Sequence, residues 1–162
     1  MPEYLNRTLI TLIPKCNTPE SLSNYHPISL CNIVYKIVTK VIVAKICPML
    51  SNLVLPYQTT FVPSRKGVDN PIIVQELVHT MSKKKGRGGL MAIKIDLDKA
   101  YDRLEWSFIW DTLALFKFPS QLISLIMSCV LTSSISILYN GGSLEPFLPS
   151  RGIRQGEPFF PY

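Results

Sequence analysis

Apolar and polar positions follow two different periods along the chain, and each period predicts a different kind of element. Residues 9–13 and residues 27–30 are short, mostly apolar runs of the kind that forms strands. The second run ends at Asn32, a residue type that caps helices, and an apolar stretch follows it. The pattern predicts two strands and then a helix over residues 33–46.

A second helix is marked at both of its ends. Asp69 or Asn70 can serve as its cap, Pro71 suits a first turn where the missing N–H costs little, and Gly86 follows the last turn. Its expected apolar face carries Ile73, Leu77 and Met81. A basic connector of lysine, arginine and glycine then leads to residues 90–97, where apolar residues alternate with others as in a strand. The faces of that predicted strand are Met91, Ile93 and Ile95 on one side, and Ala92, Lys94 and Asp96 on the other.

The last third of the chain predicts two helices and a hairpin. Asp102 with Glu105 three residues later is an aspartate version of the capping box, and it is expected to open a helix with a shared apolar face. That face consists of Trp106, Ile109, Leu113 and Phe116. Ser120 is expected to cap the next helix, and residues 135–138 are expected to pair with residues 144–148 across Asn140 and two glycines. The mixed order of strands and helices predicts an α+β fold.

Composition narrows the class of protein. The chain has 162 residues, of which 47% are hydrophobic and 17% charged, as expected of a folded domain rather than a disordered tail. The net charge of +6 favours a polyanionic partner such as nucleic acid, but also fits a merely basic protein. The four cysteines form no CxxC pair and are expected to be reduced. We see no secretory signal near the N-terminus and expect an intracellular protein.

One uncharged stretch, residues 118–144, is long enough to suggest a membrane span. Ser120, Ser124 and Ser128 recur at every fourth position, which places a polar stripe on an otherwise apolar helix. We therefore expect a soluble helix followed by a hairpin, and no membrane association.

Three carboxylates, Asp96, Asp98 and Asp102, lie close together in the sequence. Magnesium prefers such hard oxygen ligands, and Asp96 stands at the end of the predicted strand, from which it can face a cleft. The spacing alone also fits an ordinary turn residue at Asp96, a helix cap at Asp102 and a solvated or paired Asp98.

Five segments of the chain resemble known sequence motifs. They are residues 12–15 (LIPK), 27–32 (PISLCN), 58–65 (QTTFVPSR), 93–106 (IKIDLDKAYDRLEW) and 149–158 (PSRGIRQGEP). Together, in this order, they resemble the reverse transcriptases of non-LTR (LINE-type) retrotransposons, especially the plant type. The resemblance implies part of a right-hand polymerase fold, with a fingers-like segment over residues 1–89 and an incomplete palm over residues 90–162.

The resemblance also implies an activity and a set of site residues. The reaction is RNA-templated DNA synthesis that uses Mg²⁺, an RNA template, a DNA primer and deoxynucleoside triphosphates. Asp96 corresponds to a catalytic metal ligand and Tyr101 to a gate that excludes the ribose 2′ hydroxyl. Gln155, Gly156 and Arg65 correspond to nucleotide-binding residues. Candidate nucleic-acid contacts are Lys83, Lys84, Lys85, Arg87, Lys94, Arg151 and Arg154, for each of which a solvated surface position is the alternative. A nuclear location is compatible with this family.

The sequence departs from the family at several places. His26 stands where arginine is usual before Pro-Ile-Ser, Glu157 replaces the aspartate of Gln-Gly-Asp-Pro, and Phe159 with Phe160 replaces Leu-Ser. The Ala-Asp-Asp motif that supplies further metal ligands is expected beyond Tyr162. We therefore expect a truncated fragment that is inactive alone, with two alternatives: a non-catalytic nucleic-acid-binding remnant, or the functionless product of a decayed element.

Overall fold

The computed structural model describes residues 1–86 and 88–159. The chain forms two compact units. The first contains Met1–Ala44 and the residues from Lys99 onward, and the second contains Lys45–Asp98. The two units are described separately.

A four-stranded mixed sheet organises the first unit, with strand order β2-β1-β3-β4. Its strands are β1 (Arg7–Pro14), β2 (Tyr25–Cys31), β3 (Ser134–Tyr139) and β4 (Gly142–Ser143). β1 pairs antiparallel with β2, in the register Thr8↔Cys31, and parallel with β3, in the register Thr8↔Ile135. The central position of β1 therefore brings the beginning and the end of the chain together.

The described residues of the two units also form four α-helices: α1 (Ile33–Leu53), α2 (Asp69–Lys83), α3 (Trp106–Leu115) and α4 (Ser120–Leu131). The predicted cap of α1 is confirmed, because the Asn32 side-chain oxygen accepts a hydrogen bond from the Val34 N–H at 2.8 Å. α1 continues past the predicted end, through Pro48, to Leu53. The combination of these helices with the mixed sheet confirms the α+β prediction.

The core of the first unit is built mainly by α4. Its buried residues are Ile123, Ile126, Met127, Cys129 and Val130. Ser120 and Ser124 lie on the exposed side, so the predicted polar stripe is confirmed at these two positions. The Asn6 side-chain amide donates to the Cys129 carbonyl at 2.7 Å and ties the start of β1 to α4. All four cysteines are free. Over residues 1–86 and 88–159, the helices include none with the length and apolar character that crossing a membrane requires.

The predicted hairpin is confirmed between β3 and β4. Asn140 and Gly141 both have positive φ angles, 48° and 79°, as the two central residues of a type I′ turn require. The second strand is shorter than predicted. Beyond β4 the pairing reduces to a bond from the Leu144 N–H to the Ile137 carbonyl and an isolated bridge between Ile135 and Phe147.

The predicted strand over residues 90–97 was wrong, because the described residues 88–98 adopt no helix or strand. Their apolar side chains lie largely in solvent, and Met91 and Ile95 are 82% and 81% exposed. A strand needs a neighbour for its backbone N–H and C=O groups, and within the described residues no strand pairs with this segment.

Three predicted helix caps were also wrong. Residues 99–103 form turns, so α3 begins only at Trp106, with Glu105 at its N-cap position and no side-chain cap. Ser120 is the first residue of α4 rather than its cap. α2 begins at Asp69 without a side-chain cap, and the Asn70 amide donates to the Tyr57 carbonyl at 3.2 Å.

Candidate functional site

Two of the motif segments lie in the predicted palm: residues 93–106, the first palm motif, and residues 149–158, the second. They meet directly in the first unit. The Gly152 N–H donates to the Leu104 carbonyl at 2.7 Å, and the Ile153 N–H donates to the Tyr101 carbonyl at 3.0 Å. The Trp106 indole N–H donates to the Gly152 carbonyl at 3.0 Å. Three hydrogen bonds thus join residues that are about fifty positions apart in the sequence.

Gly152 permits this close approach. Its φ angle is +83°, and a Cβ atom at this position would lie 2.8 Å from the Asp102 carbonyl oxygen. Glycine adopts such a φ at no steric cost and has no Cβ to collide with the neighbouring backbone. The contact also explains why Asp102 is a turn residue here, although its spacing to Glu105 suggested a cap.

A pocket of about 150 Å³ opens at the same junction. Three of the predicted motif segments contribute to its wall: the Pro-Ile-Ser segment, the turn within the first palm motif, and the second palm motif. The polar and charged residues among its lining are Ser29, Asp102, Ser133, Arg151, Arg154, Gln155 and Glu157. The fold therefore gathers distant motif residues around one concave surface.

The predicted nucleotide-side residues of the first unit lie at this junction. Tyr101 is half-buried, and its carbonyl accepts the hydrogen bond from the Ile153 N–H. Gln155 is half-buried in the pocket wall. Gly156 is exposed and has a φ of +84°, and a Cβ atom there would lie 3.6 Å from the Ser29 carbonyl oxygen. The Gln155–Gly156 turn therefore packs against β2. Arg151 is exposed and also lines the pocket.

Arg154 is placed differently from its predicted role as a nucleic-acid contact, because it is only 9% exposed. Its Nε donates to Glu157 Oε2 at 2.8 Å, and its Nη1 donates to Thr8 Oγ1 at 2.6 Å. Its guanidinium carbon lies 4.6 Å from the centre of the Tyr35 ring, a cation–π contact. This environment favours a structural role for Arg154.

Glu157 completes a buried cluster with Arg154 and Tyr35. Its second oxygen accepts a hydrogen bond from the Tyr35 hydroxyl, and its side chain is 2% exposed. Burial and the neighbouring Glu157 carboxylate both raise the pKa of the Tyr35 phenol. Burial, the largest single influence, would lower the pKa of Arg154, but the neighbouring Glu157, Tyr35 and Cys31 together outweigh it and raise that pKa. The raised pKa values keep the Tyr35 phenol neutral and the Arg154 guanidinium charged.

Sequence reasoning missed this cluster. Glu157 was noted only as a departure from the family's aspartate, and Tyr35 was not singled out. The available signal was the opposite charge of Arg154 three positions before Glu157, a spacing that allows direct pairing. Nothing in the sequence marks Tyr35 as the third member, because its partners are more than a hundred residues away.

In the second unit, Arg65 holds a loop together. Its two terminal nitrogens donate to the carbonyls of Ser51, Val54, Leu55 and Gln58, at distances from 2.6 to 3.1 Å. Two of these carbonyls belong to or directly follow the last turn of α1, whose final C=O groups lack partners within the helix. The predicted contact of Arg65 with a triphosphate stays a prediction, and it would compete with these four bonds.

We expect Arg65→Ala to lower the free energy of unfolding by about 1–2 kcal/mol, because hydrogen bonds from a charged donor contribute more than neutral ones and solvent replaces these only in part. Urea unfolding followed by circular dichroism would measure the change. Lys66→Ala removes an equal charge from the adjacent, exposed position and serves as the control. Equal midpoints for the two variants would show that the four bonds contribute nothing measurable.

The remaining predicted residues lie on the surface of the second unit. Lys83, Lys84, Lys85, Lys94 and Asp96 are all exposed. Lys83 ends α2, and the two lysines that follow lie beyond the helix. Arg87 lies outside the described residues.

The described residues do not provide a complete metal site. Asp96 has the oxygen ligand that Mg²⁺ prefers, but across residues 1–86 and 88–159 no three His, Cys, Asp or Glu side chains are grouped to hold a metal ion. These residues alone therefore define no metal-dependent reaction step.

Comparison with known proteins agrees with the family that the motif segments resemble. The profile of the reverse transcriptase (RNA-dependent DNA polymerase) family matches residues 13–162, so the chain belongs to that family. It is 28% identical over 158 residues to the transposon TX1 uncharacterized 149 kDa protein of Xenopus laevis, which covers 98% of this chain and 12% of that protein. It is 27% identical over 161 residues to the retrovirus-related Pol polyprotein from type-2 retrotransposable element R2DM of Drosophila melanogaster, which covers 99% of this chain and 15% of that protein. The chain thus spans less than a sixth of the length of either relative.

Proposed function

We propose that this chain forms the fingers and the first part of the palm of an RNA-directed DNA polymerase from a non-LTR (LINE-type) retrotransposon. Residues 1–89 would be the fingers segment and residues 90–162 the palm segment. The observation that carries the proposal is the junction in the first unit, where the Gly152 and Ile153 N–H groups bond the carbonyls of Leu104 and Tyr101. The amino-acid sequences of the two palm motifs support a plant-type source element.

The proposed substrate is a deoxynucleoside triphosphate, paired with an RNA template and added to a DNA primer. Tyr101 would place its ring under the sugar and leave no room for a 2′ hydroxyl. Gln155 and Gly156 would lie against the incoming nucleotide, where the absence of a side chain on Gly156 allows its backbone to approach closely. The half-buried positions of Tyr101 and Gln155 at one junction support these assignments.

Asp96 is the carboxylate that we propose for metal binding and catalysis. Its residue type and its place in the first palm motif support the assignment. A single carboxylate leaves Mg²⁺ mostly bound to water, and phosphoryl transfer depends on accurate positioning. We therefore propose that these 162 residues alone do not extend a primer.

Primer extension on an RNA template with Mg²⁺ tests the inactivity of the isolated chain. We expect no extended product from the chain or from its Asp96→Ala variant. Extension by the chain that Asp96→Ala abolishes would show that the isolated segment assembles a working site. Extension that persists in the variant would point to a contaminating polymerase. The matched control is Asp111→Ala, which removes the same charge from an exposed residue outside the motifs.

A second candidate function is nucleic-acid binding without catalysis. The exposed Lys83, Lys84 and Lys85 at the end of α2 favour it, since clustered lysines bind phosphates without needing a metal. This function would survive Asp96→Ala, whereas an ordered polymerase complex depends on that carboxylate.

We expect replacement of Lys83, Lys84 and Lys85 by alanine to weaken binding to an RNA–DNA primer–template and to reduce its salt dependence. The slope of log K against log salt should fall in magnitude by about 2–3, because each of the three lost phosphate contacts contributes slightly less than one unit. Fluorescence anisotropy over a salt series measures the slope. A triple alanine variant at Lys36, Lys40 and Lys45 removes the same charge from α1. Equal slopes for both variants would mean that net charge, and not the end of α2, governs binding.

A further inference from the structure

The Gln155–Gly156 turn is flanked on both sides by buried charged residues. Arg154 precedes it and is 9% exposed, while Glu157 follows it and is 3% exposed. The turn itself is accessible, with Gln155 half-buried and Gly156 exposed. Two residues anchored in the interior thus hold a two-residue turn at the surface.

Each anchor binds a different element. Arg154 donates to Thr8 Oγ1 on β1, and Glu157 accepts a hydrogen bond from the Tyr35 hydroxyl on α1. The anchors are also bonded to each other through Arg154 Nε and Glu157 Oε2. Together these bonds determine the position of the turn relative to both the sheet and the helix.

We propose that Glu157 is a positioning residue, which sets the conformation of the Gln155–Gly156 turn by joining Tyr35 to Arg154. Its two carboxylate oxygens have different partners, so its length matters as well as its charge. An aspartate would be one methylene shorter and could pair with Arg154 without reaching Tyr35. The length of Glu157 therefore matches the position of the Tyr35 hydroxyl, and replacing the family's aspartate by glutamate has a structural consequence. The consequence for nucleotide binding rests on the proposed function, but the positioning of the turn does not.

Two variants remove the bridge in different ways. Glu157→Asp keeps the negative charge and shortens the side chain, and Tyr35→Phe keeps the ring beside Arg154 and removes the hydroxyl. In NMR spectra of the isolated chain without nucleotide, we expect both variants to shift the amide signals of Gln155 and Gly156 in the same direction. Amide hydrogen exchange at Gly152 and Ile153 should become about tenfold faster, the effect of losing roughly one buried hydrogen bond. Tyr139→Phe removes a hydroxyl from an exposed tyrosine and should change neither signal.

A double variant, Arg154→Met with Glu157→Met, separates positioning from stability. It leaves no buried charge, and such replacements are often neutral or stabilising. We expect its global unfolding midpoint to stay close to that of the unsubstituted chain while the turn signals move. If both single variants fail to fold, this double variant carries the test.

Turn signals that stay at their original positions in every folded variant would overturn the proposal, whatever happens to global stability. They would show that the cluster stabilises the core without determining the turn. Turn signals that move as expected, in a chain that binds no deoxynucleoside triphosphate, would support the positioning role and count against the proposed function alone.

Discussion

Replacing Glu157 by alanine is expected to lower the free energy of unfolding by about 3–5 kcal/mol, because it leaves the buried Arg154 guanidinium without its counter-charge. In the same variant the Tyr35 hydroxyl loses one of its two acceptors and keeps only the Cys129 carbonyl, at 3.4 Å. Arg154 Nη2 already has no hydrogen-bond partner among the described residues. The guanidinium therefore has few remaining contacts to offset the cost of its burial. Urea unfolding of the purified chain would measure the loss.

Two comparisons make this result specific to the cluster. Glu145→Ala removes the same charge from an exposed residue and should change stability by no more than about 0.5 kcal/mol. The double variant with methionine at Arg154 and Glu157 should recover most of the loss, since it removes the unpaired charge. A loss of less than about 1 kcal/mol in Glu157→Ala would mean that the pair is not buried as described.

Gly152→Ala is expected to cost about 2–4 kcal/mol, from a strained φ together with a collision. The φ of +83° disfavours any residue with a Cβ, and that Cβ would lie 2.8 Å from the Asp102 carbonyl oxygen. The neighbouring atom belongs to the backbone and cannot rotate away as a side chain could. The variant should therefore separate the two palm segments at their junction, and the Trp106 indole signal in NMR spectra would report that separation.

Gly141→Ala is the matched control for the junction. Gly141 has a similar φ of +79°, and a Cβ there would meet nothing within 4 Å. This variant isolates the backbone strain, expected to be about 1–2 kcal/mol. The difference between the two variants measures the contact with Asp102. Equal losses would contradict a close approach of Gly152 to that backbone.

Sequence reasoning succeeded where a short segment carries its own structural rule. Asn32 capped α1 as expected, because a capping side chain bonds an N–H two residues away. Asn140 and Gly141 formed the predicted turn, because both residue types tolerate positive φ. The palm motifs were identified through the family resemblance, and the hydrogen bonds that join them were not predicted.

The predictions that failed concern features set by distant parts of the chain. Residues 90–97 have the alternation of a strand, but the pattern does not say whether a neighbouring strand will pair with them. Asp102 has the spacing of a cap, yet its backbone contacts Gly152, fifty residues later. In both cases a local preference lost to a non-local arrangement.

For charged residues, the sequence did not reveal the surroundings that the fold provides. Arg65 and Arg154 were predicted as phosphate contacts from their residue type and motif position. In the structure, one bonds four backbone carbonyls and the other lies in a buried cluster. The burial of an arginine depends on which partners the fold brings to it, and Thr8 and Tyr35 lie more than a hundred positions from Arg154.

The central claim is that the junction of the two palm segments is the deoxynucleotide side of a reverse transcriptase site. The most direct measurement is an NMR titration of the isotope-labelled chain with a deoxynucleoside triphosphate and, separately, with the matching ribonucleoside triphosphate. The account predicts shift changes at the amides of Tyr101, Gln155 and Gly156, larger for the deoxynucleotide, while amides of α2 stay unchanged. Unchanged signals at these three residues, or an equal response to both nucleotides, would contradict it.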